Sequence, residues 1–91
     1  MSFDLERPWR LHRQVALRPE PFGALAYHFG NRRLSFLKTR KLLAVVQALG
    51  EHPTGRDACR SAGVGEDELP AYARALEALA ASGMLVERES R

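Results

Sequence analysis

The spacing of the apolar residues changes after Lys38, and this change restricts the fold more than any other feature of the chain. Before Lys38 the larger side chains recur at every second position, as they do in β-strands. After it they recur at every third or fourth position, as they do in amphipathic helices. A block of strands followed by a block of helices predicts an α+β domain.

Three strands are predicted in the first block. The first ends at the breaker Pro19-Glu20-Pro21, which suits an edge strand. Gly30 and Asn31 tolerate positive φ, so they predict a tight hairpin between the second and third strands. If the second strand pairs with both others, the third strand keeps a free edge. The predicted strands cover residues 15–18, 22–29 and 33–37.

Three helices are predicted in the second block. Thr39 and Thr54 are suited to cap the first two, Gly50 is suited to end the first, and Pro70 falls in the first turn of the third. The apolar stripes of these helices lie within residues 42–49, 55–62 and 67–82, and a tight turn at residues 63–65 joins the last two. The order β-β-β-α-α-α favours a winged helix-turn-helix-like topology, in which a three-stranded antiparallel sheet precedes three helices.

The chain has room for one domain, since it contains 91 residues. Residues 1–14 have no clean period, and we interpret them as an N-terminal arm anchored by Trp9. The folded domain is expected at residues 15–86, and residues 87–91 are expected to form a C-terminal tail. The longest uncharged apolar run, at residues 22–27, is too short to cross a bilayer, so no membrane association is expected.

The chain offers little that could support catalysis. His12, His28 and His52 are scattered, without the spacing of a metal site, so no metal and no enzymatic activity are expected. Cys59 is predicted to be a small buried core residue, and no phosphate-binding glycine loop is present, so no cofactor is expected. Because a lone cysteine cannot form an internal disulfide, the chain is expected in the reducing cytoplasm.

The charge is distributed unevenly along the chain, and its distribution indicates which kind of partner the chain can bind. Residues 1–41 contain nine Lys or Arg and three Asp or Glu, whereas residues 42–91 contain five and eight. A winged-helix protein of this kind could bind nucleic acid, but the predicted third helix and its start contain Glu66, Asp67, Glu68 and Glu77 against a single Arg74. A phosphate backbone would repel that helix, so no nucleic-acid partner is expected, although nucleic-acid binding stays an alternative, as does a generic protein-interaction module.

Peptide binding by strand addition is the hypothesis that the residues favour. The third strand has a free edge, and its basic neighbours attract acidic segments. Ala71, Ala75 and Ala78 form a stripe of small residues on the third helix that would let another backbone approach. Helices are often rich in alanine for propensity alone, and charged edges often only prevent aggregation. The hypothesis predicts that Ser35→Pro weakens peptide binding by removing an edge donor.

Several segments resemble one family of proteins. These are RPEPFGALAYHFGNR at residues 18–32, LSFL at residues 34–37, the stripe at residues 42–49, and the third helix from LPAY at residues 69–72 to GML at residues 83–85. Together, over about residues 7–86, they resemble the peptide chaperones of mycofactocin biosynthesis. Those proteins are related to the pyrroloquinoline-quinone peptide chaperones and to the recognition elements of ribosomally synthesised, post-translationally modified peptides.

The resemblance implies both a site and a partner. It implies that the leader of a precursor peptide adds to the third strand and packs toward the third helix. It also implies presentation of that peptide to a radical S-adenosylmethionine enzyme, which decarboxylates a terminal tyrosine and cross-links it to a valine. By this resemblance the peptide-binding residues are Arg33, Leu34, Ser35, Phe36 and Leu37 on the strand, and Ala71, Arg74, Ala75 and Ala78 on the helix. One sequence does not fix which face of the strand is buried.

Overall fold

Five strands and three helices form the fold in the computed structural model, which describes residues 3–88. The strands are β1 (Trp9–Leu11), β2 (Val15–Pro19), β3 (Ala24–His28), β4 (Leu34–Leu37) and β5 (Leu85–Glu87). The helices are α1 (Arg40–Ala48), α2 (Gly55–Ser61) and α3 (Leu69–Ala81). Within these residues, every helix is too short or too polar to cross a bilayer.

The predicted three-stranded sheet is confirmed. Its order is β2-β3-β4, and both pairs are antiparallel. On one side Val15 lies opposite His28, and on the other Ala24 lies opposite Leu37. Because β3 pairs on both sides, β4 is an edge strand of this sheet, as predicted.

A second, two-stranded sheet was missed by the sequence analysis. We predicted an irregular arm before Val15, and this was wrong for β1, which pairs antiparallel with β5 from Trp9 opposite Glu87 to Leu11 opposite Leu85. The element order is therefore β-β-β-β-α-α-α-β instead of β-β-β-α-α-α. Trp9 packs against the hydrophobic core, and its ring stacks on Phe3 of the same segment with centroids 4.3 Å apart.

The β3–β4 hairpin differs from the predicted two-residue turn. Arg32, with φ of 63°, is the residue in the left-handed region, whereas Gly30 and Asn31 are not. The imidazole of His28 explains the difference. Its Nδ1 accepts the N–H groups of Gly30 at 2.9 Å and Asn31 at 3.1 Å, so the side chain sets the path of the turn.

The predicted helix starts are confirmed at α1 and α2. Thr39 Oγ1 accepts the Leu42 N–H at 3.0 Å, and Thr54 Oγ1 accepts the Asp57 N–H at 3.1 Å. These caps satisfy amides that a helix leaves unpaired at its first turn. The prediction that α1 stops at Gly50 was wrong, because the chain continues from Ala48 as a 3-10 turn over Leu49–Glu51.

One hydrophobic core lies between the inner face of the three-stranded sheet and the helices. The inner face is built from small residues on β3, namely Ala24 and Ala26, and from Leu37 on β4. Burying a leucine of this kind contributes about 1.5–3 kcal/mol. Cys59 is fully buried, as predicted. The helices contribute the buried residues Leu42, Val45, Val46, Ala58, Leu69, Leu76 and Leu79.

Candidate functional site

The free edge of β4 carries unpaired backbone groups. In an antiparallel ladder, successive residues bond alternately to the two sides of a strand. The His28 N–H donates to the Arg33 carbonyl at 3.0 Å, so the next bonded positions of β4 are Ser35 and Leu37, opposite Ala26 and Ala24. The N–H and C=O groups of Leu34 and Phe36 therefore point away from β3. Among residues 3–88, no strand pairs with that side of β4.

This geometry corrects the prediction about Ser35. Its N–H belongs to the internal ladder between β3 and β4, since Ser35 is a bonded partner of Ala26. A proline at position 35 would damage the sheet itself. The outward donors of the strand are the amides of Leu34 and Phe36.

A groove of about 570 Å³ separates β4 from α3. Ala71, Ala75 and Ala78 form its helical wall, and their small side chains keep the space open. The floor is apolar, because Leu42 of α1 and Leu79 of α3 reach it from the core. The complete lining is Leu34, Ser35, Phe36, Lys38, Thr39, Leu42, Ala71, Tyr72, Ala75, Ala78 and Leu79.

Polar contacts hold the two walls at one end of the groove. Ser35 Oγ lies 3.4 Å from Ser82 Oγ, just after α3. Asn31 in the β3–β4 turn donates from Nδ2 to the Ser82 carbonyl at 3.0 Å. The end of α3 is thereby tied to the start of β4.

A second set of contacts holds the start of α3. The Glu68 carboxylate accepts from Lys41 Nζ at 3.1 Å and from the Gly65 N–H at 3.0 Å. These two donors, the Gly65 amide foremost, lower the pKa of Glu68. The carboxylate thus links α1, the α2–α3 loop and α3 next to the groove.

The structure brings six of the nine predicted site residues to this groove. Ala71, Ala75 and Ala78 line one wall, and Leu34, Ser35 and Phe36 line the other. The remaining three lie elsewhere. Arg33 and Arg74 are exposed outside the lining, and the Leu37 side chain is fully buried in the core. The sequence did not fix which face of β4 is buried. In the structure the face of Leu37 is buried, whereas Leu34 and Phe36 on the other face are exposed.

Sequence reasoning missed other lining residues for an identifiable reason. Leu42, Tyr72 and Leu79 fall within the predicted apolar stripes of their helices, and nothing in those stripes singled them out as binding residues. Leu42 and Leu79 are indeed buried, yet each also reaches the groove floor. A helical stripe does not distinguish a residue at the margin of a core from one at its centre.

The described residues offer no candidate metal centre. Within residues 3–88, no three His, Cys, Asp or Glu side chains come together as a metal site requires. His12 and His28 are neighbours, with ring centroids 4.4 Å apart, but His28 Nδ1 is occupied by two backbone amides. His28 thus bonds within the β3–β4 turn, and His12, whose Nδ1 accepts the Gln14 N–H at 3.0 Å, bonds within the β1–β2 connection.

An open strand edge beside an apolar groove is the arrangement found in domains that take up an extended peptide as an added strand. Fold and groove thus define a class of small α+β domain with a free sheet edge facing a helix. The sequence model described as the peptide chaperone MftB family matches residues 8–86. The chain belongs to this family.

Individual relatives are similar over nearly the whole chain. Peptide chaperone MftB of Mycobacterium ulcerans is 61% identical over 89 residues, which are 98% of this chain and 82% of the relative. Peptide chaperone MftB of Mycobacterium tuberculosis is 60% identical over the same shares. Peptide chaperone MftB of Mycolicibacterium smegmatis is 55% identical over 94% of this chain and 84% of its own length. No solved structure matches the chain significantly.

Proposed function

We propose that this chain is a non-catalytic chaperone that binds the leader of a ribosomally made precursor peptide as an additional strand on β4. The observation that carries the proposal is that the outward backbone groups of Leu34 and Phe36, which no strand within residues 3–88 pairs, lie beside the groove to α3. An extended peptide satisfies such groups by main-chain pairing. Membership of a peptide chaperone family supports the same function.

The lining indicates which peptides fit. Side chains of an added strand alternate between its two faces. One set enters the groove above Leu42 and Leu79, and the other lies beside Leu34 and Phe36 on the outer face of the sheet. Apolar residues at every second position of the leader suit this lining. Lys38 at the groove and the exposed Arg33 nearby attract acidic residues that flank the apolar ones.

The proposal extends to the biosynthetic role. The resemblance in sequence and the family support a place in mycofactocin biosynthesis, where the chaperone presents the bound precursor to a radical S-adenosylmethionine enzyme. The iron–sulfur chemistry then resides in that partner. A cytoplasmic location and a winged-helix relationship, in which α2 and α3 form the helix pair, belong to the same proposal.

A pair of alanine substitutions on α3 tests the site. Ala78 and Ala81 are both exposed residues of this helix, but only Ala78 lines the groove. Leucine keeps high helix propensity at either position, so Ala78→Leu fills the groove whereas Ala81→Leu is a matched control. Titration calorimetry with a synthetic leader peptide measures the affinity of each variant.

We expect Ala78→Leu to weaken leader binding about tenfold or more, which corresponds to about 1.4 kcal/mol, while Ala81→Leu binds like the wild type. Circular dichroism melts confirm that both variants fold. Equal leader affinity in the two folded variants would place the peptide elsewhere. A wild-type chain that binds no leader would refute the proposed function itself.

A further inference from the structure

The outer face of the three-stranded sheet is unusually apolar for a surface. Phe22, Phe29, Leu34 and Phe36 are the exposed large hydrophobic residues among residues 3–88, at 46%, 60%, 54% and 58% exposure. Leu25 and Tyr27 of β3 lie between them and are half-buried. We call these six residues the outer-face patch. Exposed apolar groups that are contiguous in this way mark interaction sites.

The pairing of the strands makes the patch continuous. Leu25 lies opposite Phe36, and Tyr27 lies opposite Leu34. The Phe22 ring is 6.4 Å from that of Phe36, while the Phe29 ring is 5.3 Å from that of Tyr27. The larger residues of β3 thus face outward, and its alanines face the core. The side chains of the outer-face patch do not pack into the core, so they are available to contact a partner.

The surroundings of the patch are basic. Residues 14–41, which contain the whole sheet, hold six Lys or Arg and one acidic residue, Glu20. Arg18 lies opposite Leu25 on the same face; its side chain is 79% exposed and contacts the Glu20 carboxylate at 3.0 Å, so part of its charge is balanced locally. Arg40 donates from Nε to the Pro21 carbonyl at 3.1 Å, next to Phe22. A surface that covers this patch is therefore favoured if it carries acidic residues around an apolar centre.

A second copy of the chain fits the patch poorly. In a two-fold dimer the same patch meets itself, so Arg18 and Arg40 would face the identical basic rim. Pairing with the acidic half of another copy would be heterologous and would build closed rings or open chains instead of a two-fold dimer. The charge distribution therefore favours a different protein.

We propose that the outer-face patch docks the enzyme to which the bound peptide is presented, through a surface of that enzyme that is apolar at its centre and acidic at its rim. The inference rests on the proposed function and deepens it by assigning the enzyme a surface. Leu34 and Phe36 belong both to the patch and to the groove, so an occupant of the patch contacts the edge of the bound peptide. One strand then serves both partners, which brings the peptide to the enzyme.

The test uses residues of the patch that lie outside the groove. Phe22 and Phe29 are exposed and do not line it, and Arg18, which pairs with Glu20, is an exposed cation on the same face. The double variant Phe22→Ser/Phe29→Ser removes the apolar contact, and Arg18→Glu reverses the charge. Affinities of each variant for the purified radical enzyme, without peptide, and for the synthetic leader are measured by titration calorimetry under anaerobic conditions. Ala78→Leu is the complementary control, because it alters the groove and leaves the outer-face patch unchanged.

We expect both patch variants to lose roughly tenfold or more in enzyme affinity and to keep wild-type leader affinity, as for central contacts of an interface. Ala78→Leu is expected to lose leader affinity and to keep wild-type affinity for the enzyme. If both patch variants bind the enzyme like the wild type, the inference is overturned while the proposed function stands. If the wild type binds neither leader nor enzyme, the proposed function is refuted, and the inference that rests on it is refuted as well. Sedimentation that shows a wild-type dimer, abolished by Phe22→Ser/Phe29→Ser, would assign the patch to a second copy instead.

Discussion

Ser35 and Ser82 hold their hydroxyl oxygens 3.4 Å apart and so join the edge strand β4 to the end of helix α3. Ser35 bonds to β3 through its backbone and faces α3 through its side chain. One residue therefore fixes the groove wall from two directions. The outward backbone groups of Leu34 and Phe36 on either side of it remain unpaired within residues 3–88.

Proline at position 36 separates peptide pairing from folding. The Phe36 N–H points to the free edge, so Phe36→Pro removes one donor to an added strand without breaking the β3–β4 ladder. Leader affinity should fall about 2- to 10-fold relative to Phe36→Ala, the control for the lost ring, because a hydrogen bond contributes about 0.5–1.5 kcal/mol. Titration calorimetry measures it. Equal affinity in the two variants would exclude pairing at this amide.

Gly23 allows the β2–β3 turn to approach the end of β4. A Cβ at this position would collide with the Leu37 carbonyl oxygen and lie 2.8 Å from that of Thr39. Gly23→Ala should reduce the free energy of unfolding by about 2 kcal/mol or more, since backbone atoms cannot move aside cheaply. In the control Gly50→Ala the new methyl group meets nothing within 4 Å, so a change within about 0.5 kcal/mol is expected. Urea unfolding of both variants decides whether the close approach is required.

We expect His12 to make the stability of the fold depend on pH in mild acid. Partial desolvation, followed by the neighbouring His28, Arg10 and Arg13, lowers the pKa of His12 below its ordinary value of 6.5. The unfolded chain therefore binds a proton at a higher pH than the folded one, and stability declines as the pH falls from about 6.5 through the folded pKa. His12→Gln should flatten the pH dependence of the melting temperature between about pH 7.5 and 5. An unchanged slope would show that other groups control the acid response.

Cys59 should resist modification while the protein is folded. Burial raises the pKa of its thiol, and the side chain is fully inaccessible. Because only an exposed thiolate reacts readily, alkylation by iodoacetamide at pH 8 should require unfolding. Mass spectrometry of native and urea-unfolded samples measures the two rates. Rapid labelling in the native state would contradict the buried position.

Local patterns were sufficient to predict a large part of the fold. Alternation over β2–β4 predicted the sheet, and Thr39 and Thr54 predicted two helix starts through their capping oxygens. The alanine stripe on α3 predicted one wall of the groove, because a helix of 3.6 residues per turn places Ala71, Ala75 and Ala78 on one face.

Features that depend on distant parts of the chain were not predictable in this way. β1 forms only against β5, and three residues are too few to show a period. Both faces of β4 carry apolar side chains, Leu34 and Phe36 on one and Leu37 beside Ser35 on the other, so only packing against the helices selects Leu37 for the core. In the β3–β4 turn, Asn31 Oδ1 accepts the Arg33 N–H as turn rules anticipate, but the two further bonds to the imidazole of His28 come from a strand residue that those rules do not address.

The pairing of β1 with β5 has a mechanical consequence. Trp9 lies opposite Glu87, and the Arg88 N–H donates to the Pro8 carbonyl at 3.0 Å. Residues 8 and 88 are therefore neighbours at one end of the β1–β5 ladder. Tension applied at residues 8 and 88 would unzip this short ladder one bond at a time. The three-stranded sheet is not in the direct line of that pull, so its groove would keep its shape until the ladder has opened.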